Sequence, residues 1–194
     1  MNRIAIFCGS SAGEDPVYYE TAYRLGEILA ARSIGIVYGG ANVGLMGAVA
    51  DGALSRGGNV IGVLPTFLRP KELGHQALSE LILVESMHER KTKMNELCDG
   101  IIALPGGFGT LEELFETVTW SQLGLHDKPI GILNINDYYS PLLLLLDNMV
   151  SAQFLKEVNR DMLLVSAEIE QLLQLMDSYR APSVRKWIDR EDLT

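Results

Sequence analysis

The feature that most constrains the fold of this chain is a regular alternation between short apolar runs, rich in β-branched residues, and longer segments with the pattern of helices. The short runs are apolar throughout instead of alternating with polar residues, which is typical of strands in a parallel sheet covered on both faces. Strands that alternate with helices indicate βαβ units. The sequence therefore predicts an α/β fold, a Rossmann-like doubly wound parallel sheet of about seven strands with helices on both faces.

The positions of these runs define the predicted elements. Strands are predicted over residues 3–8, 34–38, 59–64, 81–84, 100–104, 129–133 and 162–165, and helices over residues 16–32, 43–57, 88–98, 110–123, 138–151 and 166–178. The segment 65–80 is a long stretch between predicted strands that has no strand pattern, and we expect a surface loop there and a candidate lid. Because the 194 residues contain no linker-like or repeated segment, we expect residues 1–194 to form a single domain.

The charge of the chain restricts its partners. The formal net charge is −9 at pH 7, and binding of nucleic acid usually relies on a basic face. We therefore expect no nucleic acid as a partner. A small anion remains compatible with this charge, because a few local donors can outweigh it.

Cysteine and histidine positions indicate neither a metal site nor a disulfide framework. Cys8 and Cys98 lie in apolar surroundings, and His75, His88 and His126 have no spacing that suggests a metal site or a catalytic triad. We expect reduced thiols, no metal, no cofactor and a cytoplasmic location. The chain has no stretch of about 18 apolar residues, and its start lacks the pattern of an export signal, so we expect no membrane partner.

The strongest motif is the turn Pro-Gly-Gly-Phe-Gly-Thr at residues 105–110, which follows the fifth predicted strand. Open parallel sheets bind ligands at the carboxyl ends of their strands, where helix amino termini present free N–H groups and a positive dipole end. Glycines in the turn expose backbone N–H groups, and Thr110 can both cap the next helix and donate to a phosphate. Because no Gly-Lys-Ser/Thr follows, the turn is not a Walker A loop, and it predicts a site for a monophosphate.

Two other strand ends carry glycine turns. Gly9 and Ser10 follow the first strand, and Gly39 and Gly40 follow the second. The spacing of the second turn differs from the dinucleotide fingerprint, and residues 59–64 offer no acidic residue to hold a ribose. These turns therefore favour a mononucleotide-sized ligand over NAD or FAD.

Three charged side chains near these turns are candidates for chemistry. Glu113 lies three residues past Thr110, and its spacing fits a catalytic carboxylate as well as it fits a stabilising role in the first helical turn. Glu112 and Glu116 are assigned to that stabilising role. Arg90 and Lys91 fall in the first turns of a helix, where the helix dipole does not favour cations, so an anionic partner explains their placement better.

The motifs together resemble those of the LONELY GUY family, the cytokinin riboside 5'-monophosphate phosphoribohydrolases that were formerly labelled possible lysine decarboxylases. The family pattern PGGxGTxxE is complete from Pro105 to Glu113, and its MxxRK pattern is complete at Met87, Arg90 and Lys91. The likeness extends to residues 7–11, 38–47 and 119–129 and covers about residues 1–180.

The resemblance implies an enzyme that hydrolyses the N-glycosidic bond of an N6-modified adenosine 5'-monophosphate, or of AMP, to the free base and ribose 5-phosphate. It implies that Arg90 and Glu113 are the catalytic pair. The implied substrate-binding residues are Gly9, Ser10, Gly39, Gly40, Met87, Arg90, Lys91, Gly106, Gly107, Gly109, Thr110 and Glu113. It also implies a homodimer or a larger assembly with the active site near the subunit interface.

One alternative remains open, and another is unsupported by the sequence. Related folds bind phosphorylated cofactors such as molybdopterin, so a non-catalytic carrier like the molybdenum-cofactor carriers is a second candidate. A pyridoxal-dependent decarboxylase is unsupported, because the sequence shows no Schiff-base lysine with an acidic partner.

The five-leucine run 142–146 fits a core helix or a subunit interface equally well, and the helix carrying Trp120 is a second interface candidate.

Overall fold

A computed structural model describes residues 1–68 and 74–182, and its framework is a sheet of seven parallel strands. In chain order the elements are β1 (Arg3–Phe7), α1 (Pro16–Ala31), β2 (Gly35–Tyr38), α2 (Gly44–Ser55), β3 (Val60–Pro65), β4 (Glu80–Val84), α3 (Met87–Leu97), β5 (Gly100–Ala103), α4 (Phe108–Gln122), β6 (Ile130–Leu133), α5 (Ser140–Ser151), α6 (Glu157–Arg160), β7 (Leu163–Ser166) and α7 (Ile169–Ser178). The predicted fold class and the seven strands are confirmed. The one-turn helix α6 has no counterpart among the predicted elements.

The order of the strands in the sheet determines where a binding crevice can form. The sheet runs β4-β3-β2-β1-β5-β6-β7, so β1 lies between β2 and β5. The chain winds outward in one direction from β1 to β4 and in the other direction from β5 to β7. Loops therefore diverge at the carboxyl ends of β1 and β5, and such a switch point is where open α/β sheets form their binding crevice.

Alternating residues of the central strands divide the core into two layers. Ile4 and Ile6 of β1 pack with residues of α1, α2 and α7, whereas Ala5 and Phe7 pack with residues of α3, α4 and α5. Because both faces are covered, strands can be apolar throughout, as the sequence indicates. β4 departs from this pattern: it pairs with β3 alone in the described sheet, and its Leu81 and Leu83 are exposed.

The segment after β3 is held to the body of the protein over its described part. The backbone N–H of His75 donates to the carbonyl of Gly40 over 3.1 Å, and His75 Nε2 lies 2.9 Å from Asp51 Oδ1. The N–H of Ala77 donates to His75 Nδ1, which makes Nε2 the protonated nitrogen that donates to Asp51. Residues 69–73, in the middle of the predicted lid, lie outside the described residues.

The five-leucine run faces the core with only part of its side chains. Of the residues of α5, all of which are described, Leu146 is the one that is buried. Leu144 is 71% exposed and Leu145 is 49% exposed. A helix with apolar side chains on more than one face cannot bury them all against a single sheet. Leu142 and Leu143 pack against the core beside Leu146, so the core interpretation holds for three leucines of the run, whereas Leu144 and Leu145 leave an apolar surface.

Within residues 1–68 and 74–182, no helix is both long enough and apolar enough to cross a bilayer.

Candidate active site

The loops after β1, β2 and β5 meet beside the amino end of α3 and enclose a cavity of about 320 Å³. The N–H of Gly9 donates to the carbonyl of Pro105 over 3.0 Å, which joins the first loop to the glycine-rich turn. The N–H of Leu45 donates to the carbonyl of Gly9 over 3.1 Å, which brings in the start of α2. The cavity is lined by Ile6, Cys8, Gly9, Ser10, Gly39, Met46, Met87, Arg90, Gly107, Phe108, Gly109, Thr110, Glu112 and Glu113.

Arg90 and Glu113 face each other in this cavity from two different helices. Arg90 Nη2 lies 3.9 Å from Glu113 Oε1, and the two side chains are 9% and 12% exposed. Burial raises the pKa of Glu113 to about 7, although the positive charge of Arg90 acts in the opposite direction. Nε of Arg90 is buried and has no hydrogen-bond partner among the described residues. A buried donor without a partner is costly in a native protein, so it indicates a ligand or water site.

The local sequence explains why Arg90 reaches the cavity. The Ser86 hydroxyl accepts a hydrogen bond from the Glu89 N–H over 3.1 Å and caps α3. Glu89 in turn accepts from the N–H of Glu85 over 2.8 Å, so the entry to the helix is held on both sides. Arg90, one turn into this capped helix, lies over Gly39. A β-carbon at position 39 would overlap Arg90 Nη2, so glycine at this position lets the guanidinium lie where it does.

The glycine-rich turn leads into α4 earlier than its sequence predicts. α4 begins at Phe108, its N-cap is Gly107, and no described side chain caps it. The prediction that Thr110 caps this helix is wrong: Thr110 lies inside the first turn and is buried, where its hydroxyl packs against Gly106 so closely that a β-carbon there would overlap it.

This early start changes which N–H groups are free. The first N–H groups of a helix have no acceptor within it, and here they belong to residues 107–110. The first helical bond of α4 runs from the N–H of Leu111 to the carbonyl of Gly107. The amino terminus of α4 therefore presents unpaired N–H groups and the positive end of its dipole to the cavity.

Three of the predicted substrate-binding residues lie outside the lining. Gly40 has a φ of 83° and makes the tight turn after β2. A β-carbon at this position would point toward Gly62 and Leu81. Gly106 lines a second cavity, which adjoins the first across Gly9, Ser10 and Gly107. The other nine predicted residues do line the first cavity: Gly9, Ser10, Gly39, Met87, Arg90, Gly107, Gly109, Thr110 and Glu113.

Lys91 is the third residue outside the lining. Its Nζ lies 2.5 Å from Glu112 Oε1 and 2.9 Å from Glu116 Oε2, so it joins α3 to α4. Partial burial acts to lower the pKa of Lys91, but hydrogen bonds and charges from the two glutamates outweigh it and raise the pKa. The assignment of Glu112 and Glu116 to favourable interaction with the helix dipole therefore misses their main contact in the structure.

Sequence analysis missed several residues of the two cavities. Cys8 and Met46 line the first cavity from β1 and α2, and burial raises the pKa of the Cys8 thiol far above its usual range. Tyr18 and Tyr138 line the second cavity, which has a volume of about 320 Å³. Cys8 stands directly before the Gly9 turn, so its position was a usable signal, whereas the two tyrosines belong to no motif.

These groups define what the site can do chemically. The amino terminus of α4 can hold an anion, and a carboxyl with a pKa of about 7 can act as an acid, a base or a stabilising anion near neutral pH. Arg90 can offset negative charge that develops on a ligand. Among residues 1–68 and 74–182, no group of three or more His, Cys, Asp or Glu side chains is arranged to hold a metal ion.

Comparison with protein families and with curated proteins identifies relatives that span most of the chain. Residues 46–176 match the family model described as "Possible lysine decarboxylase". The chain is 46% identical over 179 residues to the rice (Oryza sativa subsp. japonica) protein named "Probable cytokinin riboside 5'-monophosphate phosphoribohydrolase LOGL1", covering 92% of this chain and 80% of that protein. It is 43% identical to the Arabidopsis thaliana cytokinin riboside 5'-monophosphate phosphoribohydrolase LOG2, covering 92% of this chain and 84% of the relative.

Comparison with solved structures finds similar folds at lower sequence identity. The molybdenum cofactor binding protein of Rippkaea orientalis superposes with a TM-score of 0.67 at 24% identity, covering 91% of this chain and 95% of that chain. The molybdenum cofactor carrier protein of Chlamydomonas reinhardtii gives a TM-score of 0.65 at 21% identity, covering 89% and 98%. These likenesses show a shared fold.

Proposed function

Because this chain belongs to the LOG family of cytokinin riboside 5'-monophosphate phosphoribohydrolases, we propose that it hydrolyses the N-glycosidic bond of a nucleoside 5'-monophosphate. The substrate is an N6-modified adenosine monophosphate or AMP, and the products are the free base and ribose 5-phosphate. The observation that carries this proposal is the buried Arg90–Glu113 pair beside the unpaired amino terminus of α4.

The phosphate of the substrate binds at the amino terminus of α4. The N–H groups of residues 107–110 have no acceptor within the helix, and Gly107, Gly109 and Thr110 line the cavity. Gly9 and Ser10 line the same cavity. Binding energy from the phosphate, which does not react, then orients the ribose over Glu113.

Glu113 acts as the carboxylate beneath the sugar. When the C1'–N bond breaks, positive charge develops on the sugar ring, and a nearby carboxylate stabilises it and orients the attacking water. The water oxygen bonds to C1', one of its protons leaves, and the departing base takes up a proton at nitrogen.

Arg90 acts through its charge. A guanidinium has too high a pKa to donate a proton effectively, so it offsets the negative charge on the departing base and holds its position. Met87 lines the cavity beside Arg90, where its thioether lies 3.9 Å from Arg90 Nη1, and we assign it to the base-binding side. Lys91 supports this arrangement by holding α3 against α4.

The proposal extends to assembly and location. We expect a homodimer that uses the apolar surface of α5, where Leu144 and Leu145 are exposed, because such a surface on a soluble domain marks an interaction site. We expect the protein in the cytoplasm, since Cys8 and Cys98 are free thiols buried in the core. Residues 1–194 are expected to act as one nucleotide-binding domain that needs no cofactor.

A non-catalytic carrier is the second candidate, and the likeness of the fold to molybdenum cofactor carriers favours it. The two candidates differ in whether a bound nucleotide is cleaved.

The test is to incubate the protein with AMP and with N6-isopentenyladenosine monophosphate and to measure free base and ribose 5-phosphate by chromatography. Adenosine, which lacks the phosphate, serves as the matched control and should be cleaved at least tenfold more slowly. Tight binding of AMP without any product would favour the carrier over the hydrolase.

A further inference from the structure

Three successive carbonyl groups at the start of the glycine-rich turn, those of residues 104–106, accept hydrogen bonds from two other segments of the chain. The Tyr139 hydroxyl donates to the carbonyl of Leu104 over 2.6 Å. The N–H of Gly9 donates to the carbonyl of Pro105 over 3.0 Å, and the Tyr138 hydroxyl donates to the carbonyl of Gly106 over 2.6 Å. With its carbonyl groups occupied in this way, the turn has little freedom to rotate its peptide planes.

The loop that carries the two tyrosines is itself held in an unusual conformation. Asn136 and Asp137 have φ values of 49° and 57°, which residues other than glycine rarely adopt. Such a conformation persists where surrounding contacts hold it. Here the Asn134 side chain accepts from the N–H of Tyr139 over 2.7 Å and donates to Ser140 over 3.2 Å.

Ring packing adds to these hydrogen bonds. The ring of Tyr138 meets that of Tyr139 edge to face with centroids 5.0 Å apart, and it meets that of Tyr18 from α1 with centroids 6.0 Å apart. The hydroxyl of Tyr138 is thus directed to Gly106 by contacts on both sides, although the side chain is partly exposed.

We propose that Tyr138 is a positioning residue for phosphate binding, because its hydroxyl fixes the Gly106 peptide from which the free N–H groups of residues 107–110 continue. Tyr138 lines the second cavity and not the first, which Arg90 and Glu113 line. This inference rests on the proposed function, since it takes the amino terminus of α4 as the phosphate site.

The role predicts an effect that depends on the phosphate of the ligand. Removing one hydrogen bond that orders the turn should raise the dissociation constant about fivefold for ligands that bind its N–H groups. Ligands without a phosphate should bind with unchanged affinity. A general structural role would instead lower the binding of all ligands together.

The experiment measures binding by calorimetry in a Glu113→Gln background, so that AMP is not consumed and the result does not depend on turnover. Tyr138→Phe is compared with Tyr19→Phe, whose tyrosine is equally exposed, at 41% against 42%, and whose hydroxyl has no hydrogen bond among the described residues. The ligands are AMP, ribose 5-phosphate and adenosine. Thermal unfolding of each variant is recorded in parallel.

We expect Tyr138→Phe to weaken AMP and ribose 5-phosphate by about fivefold, to leave adenosine unchanged, and to keep a melting temperature close to that of the parent. Tyr19→Phe should change none of these. Unchanged AMP binding in Tyr138→Phe, or an equal loss for AMP and adenosine, would overturn the proposal. Should the wild type cleave no nucleotide, the hydrolase proposal fails while this comparison still tests Tyr138.

Discussion

Arg90 and Glu113 form a buried pair of opposite charges whose nearest side-chain atoms, Nη2 and Oε1, lie 3.9 Å apart. The separation exceeds the length of a hydrogen bond, so the guanidinium attracts the carboxylate without binding it directly. Burial therefore dominates, and the pKa of Glu113 is raised to about 7. The carboxylate stays available to a substrate in the space between the two side chains.

Replacing Glu113 by glutamine should remove most of the activity. Glutamine keeps the size of the side chain but cannot stabilise positive charge on the sugar, so kcat should fall by about a hundredfold or more. Glu116→Gln on the same helix is the matched control, because Glu116 contacts Lys91 and not the cavity. Steady-state kinetics with AMP measure both, and equal kcat values in Glu113→Gln and wild type would remove Glu113 from the mechanism.

The activity should increase with pH through neutrality. The proposed mechanism needs Glu113 as a carboxylate, and its pKa is raised to about 7. Thus kcat/KM for AMP should rise from pH 5.5 and level off above about pH 7 to 8. A profile measured in buffers of constant ionic strength tests this, and activity that falls over the same range would mean that the protonated carboxyl is the active form.

Stability should show the opposite trend. In the unfolded chain Glu113 loses its proton near its ordinary pKa of about 4.3, whereas in the folded protein it does so near pH 7. Between these two pKa values the folded state binds more protons than the unfolded state. The contribution of Glu113 to the free energy of unfolding therefore falls as pH rises from about 4.3 to about 7, and it is constant at higher pH.

Glu113→Gln resembles the protonated form and avoids this loss. It should be more stable than the wild type at pH 8 by roughly 3 kcal/mol and about equal to it at pH 4.5. Urea unfolding at the two pH values measures the difference, and Glu116→Gln, which keeps Glu113, should follow the wild-type trend. A difference that does not change with pH would contradict the raised pKa.

Gly39→Ala should reduce activity by displacing Arg90. The new β-carbon would overlap Arg90 Nη2, and Arg90 would have to leave its place opposite Glu113. We expect kcat to fall at least tenfold with a modest change in melting temperature. Gly35→Ala is the control, because a β-carbon there meets atoms no closer than 3.4 Å; if both variants behave alike, the packing of Gly39 on Arg90 is not what the reaction needs.

Lys91→Met should separate a supporting role from direct phosphate binding. Lys91 pairs with Glu112 and Glu116 and is 13% exposed, so its loss should cost about 1 kcal/mol of stability. The positive charge of Lys91 also lowers the pKa of Glu113, and its removal should move the activity profile to higher pH. The KM for AMP should change less than about threefold.

The control for this variant is Lys93→Met. It removes an exposed ion pair with Glu96 and should change neither the stability nor the pH profile of activity by much. A tenfold or larger rise in KM for Lys91→Met at unchanged stability would show instead that Lys91 binds the phosphate.

The proposed dimer can be tested on α5. Leu144 is 71% exposed and Phe154, just beyond the helix, is 88% exposed. Replacing both by serine should convert a dimer into a monomer, because burial of such side chains drives association. Light scattering after gel filtration gives the mass, and Leu175→Ser on α7 is the control. A double variant that keeps the wild-type mass would place the interface elsewhere.

Sequence patterns predicted the elements because those patterns are local. An apolar run such as residues 100–104 indicates a buried strand by its composition, and the turn at residues 105–110 predicts an anion site by its glycines. Helix boundaries were less accurate, as the start of α4 shows. Thr110 has the chemistry of a cap, but the packing of its hydroxyl against Gly106 placed it inside the helix.

The alternation of strands and helices, the glycine turns, and the presence of Arg90 and Glu113 near strand ends can all be read from the chain alone. Which of these groups meet was decided by the tertiary structure, because β1 and β5 pair although they lie far apart in the chain. That pairing sets Gly9 against Pro105, and the pairing of β5 with β6 brings the loop that carries Tyr138 to Gly106. The packing of α3 beside α4 directs Lys91 to Glu112 and Glu116. Contacts between distant segments depend on strand order and on which helix face is buried, and neither has a signature within a short stretch of sequence.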